Sequence, residues 1–150
     1  MLSALVLTVY VFTTTDCPIS NRYAPEIQRL AAKFASQATF VLVYPTAGDS
    51  DEKIREHKKK FGYALESRRD PSLQLVRHTG VTVAPEVAVM SGTSVLYRGR
   101  IDDRYVDFGK DRPAPTRRDL EEALTAAIAG KPIAVKETRA VGCFLQELVK

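Results

Sequence analysis

The stretch Ala4-Leu-Val-Leu-Thr-Val-Tyr-Val-Phe12, followed by Thr13-Thr-Thr-Asp-Cys17-Pro18, decides the fold of this chain. Residues 4–12 are uncharged and rich in β-branched and aromatic side chains, which predicts a central strand buried on both faces. Pro18 suits the first position of a helix, with Asp16 or Cys17 at its cap. Ile19, Tyr23, Ile27, Leu30 and Phe34 then recur at helical spacing and form one apolar stripe. Pro25 lies inside that run and is expected to kink it. Thr39 to Tyr44 reads as a second strand. Strand, helix and strand within about 40 residues make a βαβ unit with parallel strands and a right-handed crossover.

Outward from this unit, Pro45 to Ser50 is expected to be a loop and Asp51 to Phe61 a charged surface helix. A short edge strand is expected at Ala64–Ser67. A short helix over Pro71–Thr79 is stopped by Gly80. Glu86–Met90 and Ser94–Tyr97, joined by Ser91-Gly92-Thr93, predict a β-hairpin. Gly99–Pro115 reads as a polar loop. Thr116 and Asp119 resemble a capping box before a helix that runs to Ala129 and stops at Gly130. The expected class is therefore α/β: one domain over 1–150 with a central mixed β-sheet flanked by helices, its core at about 4–130 and a C-terminal tail at 131–150.

The chain has 150 residues, 45% hydrophobic and 27% charged, with a formal net charge of +4. This composition suits one globular domain. The run His57-Lys58-Lys59-Lys60 stands beside Glu52 and Glu56 and lacks aromatic interleaving, so it reads as a solvated helix face and not as a nucleic-acid site. The apolar start is too short to insert into a membrane and has neither a basic flank nor a cleavage site, so no leader is expected within this chain. His57 and His78 are isolated, two cysteines make no zinc-ligand set, and no metal or other cofactor is expected.

Cys17 stands at a strand-to-helix junction, where backbone N–H groups and the helix dipole favour a thiolate. Asp16 opposes this. Around it, Asp16-Cys17-Pro-Ile-Ser20-Asn-Arg-Tyr-Ala-Pro25 resembles the thioredoxin superfamily, in which a proline follows the first active-site cysteine by eight residues. Gly80-Val-Thr-Val-Ala-Pro85-Glu-Val-Ala-Val-Met90 is similar to the family segment that holds a cis-proline before the hairpin. The resemblance implies a thioredoxin-like three-layer fold. It also implies that Ala84 and Pro85, together with Pro18, receive the extended backbone of a substrate. Val95-Leu-Tyr-Arg-Gly-Arg-Ile-Asp-Asp103 is similar to peroxiredoxin-like redoxin domains with one active-site cysteine.

Three departures bear on activity. Ser20 replaces the second cysteine of C-x-x-C. Val11 replaces the buried acid six residues before the first cysteine. Tyr10 stands where the peroxidase signature P-x-x-x-[TS]-x-x-C needs proline, although Thr14 fits it. Ser20 is left either to hydrogen-bond a Cys17 thiolate or to cap the first helical turn. Cys143 could resolve an adduct at Cys17 or be structurally inert. The thirteen residues after Gly130 reach about 43 Å when extended, against a radius of gyration of about 15 Å for such a domain. The leading expectation is a thiol–disulfide oxidoreductase with Cys17 as nucleophile, Cys143 resolving and Ser20 assisting. Its partners would be protein thiols and disulfides or a small peroxide. The rivals are a peroxiredoxin-type peroxidase and a non-catalytic binding module. The family resemblance leans towards a bacterial extracytoplasmic (periplasmic) setting.

Overall fold

The structure, a computed structural model, describes residues 6–145. Ala4 and Leu5, expected in the first strand, and residues 146–150 of the expected tail lie outside the described residues. Strand β1 spans Leu7–Phe12, β2 Ala38–Tyr44, β3 Glu66–Arg69, β5 Glu86–Ser91 and β6 Ser94–Gly99. They form one mixed sheet in the order β3-β2-β1-β5-β6. β1 is central, parallel to β2 and antiparallel to β5. The remaining strands, β4 Val83–Ala84, β7 Tyr105–Asp107, β8 Lys110–Asp111 and β9 Cys143–Phe144, make two small ribbons.

The two faces of the sheet are sorted by the period of two along each strand. Leu7, Val9 and Val11 of β1, Phe40 and Leu42 of β2, and Val87 and Val89 of β5 face one apolar cluster. The helices packing there are α2 (Ala24–Lys33) through Ile27 and Leu30, α3 (Asp51–Phe61) through Ile54, and α5 (Asp119–Ile128) through Leu120 and Leu124. Phe12, Val43, Ala88 and Met90 face the other cluster, where α4 (Gln74–Thr79) adds Val76. A sheet with helices on both faces is thus the arrangement expected from the alternation of strands and amphipathic segments.

Several boundaries differ from the sequence expectation. The stripe from Ile19 to Phe34 is buried throughout, but the helix is split into α1 (Pro18–Arg22) and α2 with Tyr23 between them. Pro25 therefore sits in the first turn of a new helix, where its missing N–H costs nothing. The edge strand lies at Glu66–Arg69, two residues later than expected and fully exposed. α4 begins at Gln74 because Asp70 accepts bonds from the N–H groups of Leu75 and Val76 at 3.2 and 3.0 Å. The loop after Gly99 contains the β7–β8 ribbon. The Thr116–Asp119 capping box does not form: α5 starts at Asp119, the Thr116 hydroxyl donates to Asp103, and Asp119 pairs with Arg100 at 2.7 Å.

The tail is built into the fold. The Thr138 hydroxyl accepts from Arg100 N–H at 2.9 Å and lies 2.6 Å from the Tyr97 hydroxyl. Its N–H donates to the Arg98 carbonyl at 3.2 Å, so the tail runs along the edge of β6. Leu145 ends the described chain buried in the cluster beside α4.

Ile27 joins α2 to the larger cluster at 1% exposure. Replacing Ile27 by Ala is expected to lower the unfolding free energy by about 2–5 kcal/mol. Urea denaturation followed by circular dichroism measures it.

Candidate functional site

β1 delivers the chain to the site. After Phe12 the Thr13 N–H still bonds Val43 of β2 at 2.9 Å, and the following turn is held from the side. Asp49 accepts from the N–H and the hydroxyl of Thr15 at 3.2 and 2.6 Å. The Asn21 amide donates to the Thr15 carbonyl at 3.3 Å. Asn21 is in turn bonded to His57, whose Nε2 lies 2.7 Å from its Oδ1. An amide oxygen only accepts, so Nε2 carries the hydrogen; burial favours the neutral ring, in which Nδ1 accepts from the Tyr44 hydroxyl at 2.8 Å. His57 is therefore a neutral, buried brace for the cysteine turn and not part of a solvated basic face. Burial pushes its pKa down; Asp49 opposes that shift and Lys60 adds to it.

Cys17 caps α1 with its backbone: the Asn21 N–H donates to the Cys17 carbonyl at 3.0 Å, and the side chain makes no cap bond. The residue is 2% exposed. Its sulfur lies 3.3 Å from the carbonyl oxygen of Ala84 and is joined in a disulfide to Cys143, with the Cα atoms 6.2 Å apart. The Ala84–Pro85 peptide bond is cis. Both of its residues are buried, whereas Pro18 is exposed on the first helical turn. The Ser20 hydroxyl is buried and has no hydrogen-bond partner, so neither of the two bonds expected of it is made in the disulfide state.

Cys143 reaches Cys17 as part of a strand. β9 pairs antiparallel with β4, with Ala84 opposite Cys143 and Val83 opposite Phe144. The Leu145 N–H extends the pairing to the Thr82 carbonyl at 3.2 Å. The segment before the cis bond is fixed by Glu86, a residue the sequence reading passed over. Its carboxylate accepts from the N–H groups of Thr82 and Val83 at 2.9 and 3.4 Å and pairs with Arg98 at 2.9 Å. Glu86 is 2% exposed, and burial raises its pKa. Arg98 also reaches Glu137 of the tail at 3.4 Å. The position immediately after Pro85 was the available signal, since a lone acid at the head of the apolar run Val87–Met90 has to be paired once it is buried.

Asn21 is thus half-buried and bonded on both sides. Asp102 and Asp103, within the stretch expected to be a polar loop, are buried acceptors. Asp102 takes the Tyr23 hydroxyl at 2.6 Å, and Asp103 takes the Thr116 and Arg117 N–H groups at 2.7 and 2.9 Å. Among the described residues no group of three or more His, Cys, Asp or Glu is placed to hold a metal ion, and no helix is long and apolar enough to cross a membrane.

No family model matches this chain, and no curated protein sequence does. Solved structures do. A hypothetical protein of Sinorhizobium meliloti superposes with a TM-score of 0.80 at 20% identity, over 95% of this chain and 80% of that one. An uncharacterized conserved protein of Geobacillus kaustophilus gives 0.79 at 22% identity, over 92% and 75%. A Chlorobium tepidum protein described as a thiol:disulfide interchange protein, DsbE, gives 0.63 at 20% identity, over 83% and 82%. The chain has a thioredoxin-like fold, with a central mixed sheet of five strands flanked by helices.

The neutral His57 makes stability depend on pH. An unfolded chain takes up the histidine proton near pH 6.5, whereas the folded chain takes it up only at lower pH. Between these values the unfolded state binds more protons, so stability is lost as pH falls through that window. Glu86 and Asp102, whose pKa values are raised by burial, act with the opposite sign in their own range. The comparison that isolates His57 is wild type against His57→Gln. Denaturation midpoints should fall from pH 7 to pH 5 more steeply in the wild type than in the variant.

Proposed function

We propose that the protein is a thiol–disulfide oxidoreductase in which Cys17 is the nucleophile and Cys143 the resolving thiol. The observation that carries this reading is the disulfide between Cys17, at the junction of β1 and α1, and Cys143, which lies in a strand paired to the segment before Pro85. In the reduced protein the Cys17 thiolate attacks one sulfur of a substrate disulfide. A mixed disulfide forms and one substrate thiolate leaves. The Cys143 thiolate then attacks the Cys17 sulfur, which restores the Cys17–Cys143 bond and releases the second substrate thiolate. Two electrons pass from the two protein thiols to the substrate, and an external dithiol returns them. Run backwards, the same steps oxidise a substrate dithiol.

The unpartnered Ser20 hydroxyl supports a role for that residue in the reduced state. Loss of the disulfide leaves a sulfur three residues away at the cap of the same short helix, and a hydroxyl donor there favours the thiolate. The Ala84 carbonyl favours the protonated thiol, because it accepts a hydrogen bond and repels negative charge. Ala84 and Pro85 line the approach to Cys17, with Pro18 exposed beside it. Protein thiols and disulfides fit this approach as partners. A lasting disulfide of this kind suits an oxidising, extracytoplasmic compartment such as the bacterial periplasm.

The test uses reduced full-length protein and a disulfide-bonded protein substrate. Cys143→Ser is expected to accumulate a mixed disulfide through Cys17, while Cys17→Ser forms none. The wild type should pass through to the internal disulfide, seen by mass mapping without reductant. Consumption of peroxide with a sulfenate at Cys17, and no exchange with the substrate, would favour the peroxidase reading instead. No reaction of either kind, with a Cys17 thiol that ionises at or above ~8.5, the free-thiol value, would leave a binding module.

Closing the disulfide also constrains the unfolded chain, since it joins residues 126 apart. The chain-entropy relation puts this at up to about 5 kcal/mol. Reduction is accordingly expected to lower the urea midpoint measurably, and Cys143→Ser should show the same midpoint with or without reductant.

A further inference from the structure

β9 occupies the backbone edge of β4, whose Ala84 carbonyl lies against the Cys17 sulfur. Val83 and Ala84 pair with Phe144 and Cys143, and a single edge cannot pair with two strands at once. The resemblance already implies that this edge receives the extended backbone of a substrate; we propose that the chain's own tail is its tethered occupant, that a partner segment docks by displacing it, and that the register of the tail sets the requirement for glycine immediately before the reacting cysteine and an apolar residue two positions after it. The proposal rests on the thiol-exchange reading above and names the substrate class of that site.

The tail displays the shape of the site position by position. Gly142 is buried against the peptide group it crosses: a Cβ built on it would overlap the Ala84 carbonyl, 2.6 Å from its carbon and 3.0 Å from the Pro85 nitrogen. The obstructing atoms are backbone on the inner side of a clamp held by Glu86, so they have little room to move. The next position presents its sulfur to Cys17. Phe144 is 67% exposed, so the position after the cysteine imposes no requirement. Leu145 is 1% exposed and packs with Phe12, Val43, Val76, Val81 and Met90, so an apolar side chain is required there.

The tail is anchored twice, and the two anchors are separable. Thr138 is held on β6 by three hydrogen-bonding contacts that do not involve the disulfide. Residues 139–145 beyond it are held by the disulfide, the β4 pairing and Leu145. Reduction removes the covalent part of the second anchor and leaves Thr138 as a tether. A tether this short keeps Cys143 at an effective concentration of about millimolar. A docked segment forms its disulfide with Cys17, and its other cysteine leaves as a thiolate. The tail then returns to the same edge. Its Cys143 thiolate attacks the Cys17 sulfur, and the docked cysteine leaves as a thiolate together with its strand. Strand exchange thereby couples product release to formation of the internal disulfide.

Two full-length variants test this: Cys143→Ser, which keeps the tail and frees Cys17, and Cys143→Ser combined with Gly142→Ala, whose tail cannot seat. The probes are three peptides whose cysteine is activated as a thionitrobenzoate mixed disulfide. One is Val-Gly-Cys-Phe-Leu-Gln, the second replaces its Gly by Ala, and the third replaces its Leu by Asp. The rate of coloured thiolate release is read for each. The first peptide should react with Cys143→Ser at least about tenfold faster than the other two, a difference of about 1.4 kcal/mol. All three should react faster with the double variant and keep the same ranking. Equal rates for the three peptides, or no gain in the double variant, would overturn the proposal. If the double variant does not fold by circular dichroism, the ranking on Cys143→Ser decides alone. Iodoacetamide separates the two levels. Alkylation of Cys17 without peptide discrimination overturns the docking site and leaves the thiol-exchange reading intact. Failure of Cys17 to react with iodoacetamide and with every peptide overturns both.

Discussion

The structure turns on the placement of one sulfur against one carbonyl. Cys17 Sγ is held 3.3 Å from Ala84 O at the point where the central strand ends and α1 begins. Everything else at the site serves that approach. β1 is fixed by neighbours on both edges, so its end is rigid. The turn after it is clasped by Asp49 and, through Asn21, by His57 and Tyr44. From the opposite side Glu86 ties down the segment that ends at Ala84. Two independent sets of buried polar bonds thus converge on a contact between residues 67 apart in the chain.

Such placement is made possible by how the sheet divides its side chains. Alternate residues of β1, β2 and β5 feed two separate apolar clusters, one under α2, α3 and α5 and the other under α4. The tail contributes to both: Ile133 and Val141 pack on the first cluster, and Leu145 is buried in the second. It also covers part of the edge of β6, which would otherwise offer unpaired backbone groups. The tail is therefore a structural element as well as the carrier of Cys143. Thr138 anchors it through hydrogen bonds in which Cys143 takes no part.

The comparison with solved structures limits how far likeness can be taken. Identities of 20–22% establish the thioredoxin-like fold, and the chemistry has to come from this chain's own residues. Those residues depart from a local dithiol. Ser20 occupies the second cysteine position and remains without a partner, while the second sulfur arrives from 126 residues away. Val11, six residues before Cys17, is packed in the core, and an acid, Glu86, is buried beside Pro85. Its carboxylate is engaged by two N–H groups and a guanidinium, which suits it to holding backbone in place.

Elements that declare themselves by local periodicity were legible in the chain as written. The uncharged strand to Phe12, the stripe from Ile19 to Phe34, the hairpin around Gly92 and the helix ending before Gly130 all follow from spacing and turn chemistry, because each is governed by residues within a few positions of one another. Cys17 as the candidate nucleophile belongs to this class. What tertiary structure alone decided is whatever depends on a partner far along the chain. Neither the burial of His57 within a lysine run nor the use of Asp102 and Asp103 as internal acceptors could be read from neighbouring residues. The same holds for the pairing of Glu86 with Arg98 and of Cys143 with Cys17. Hydrogen bonds and a disulfide are short-ranged in space and indifferent to separation in sequence. Only the folded chain determines which of the compatible partners meet.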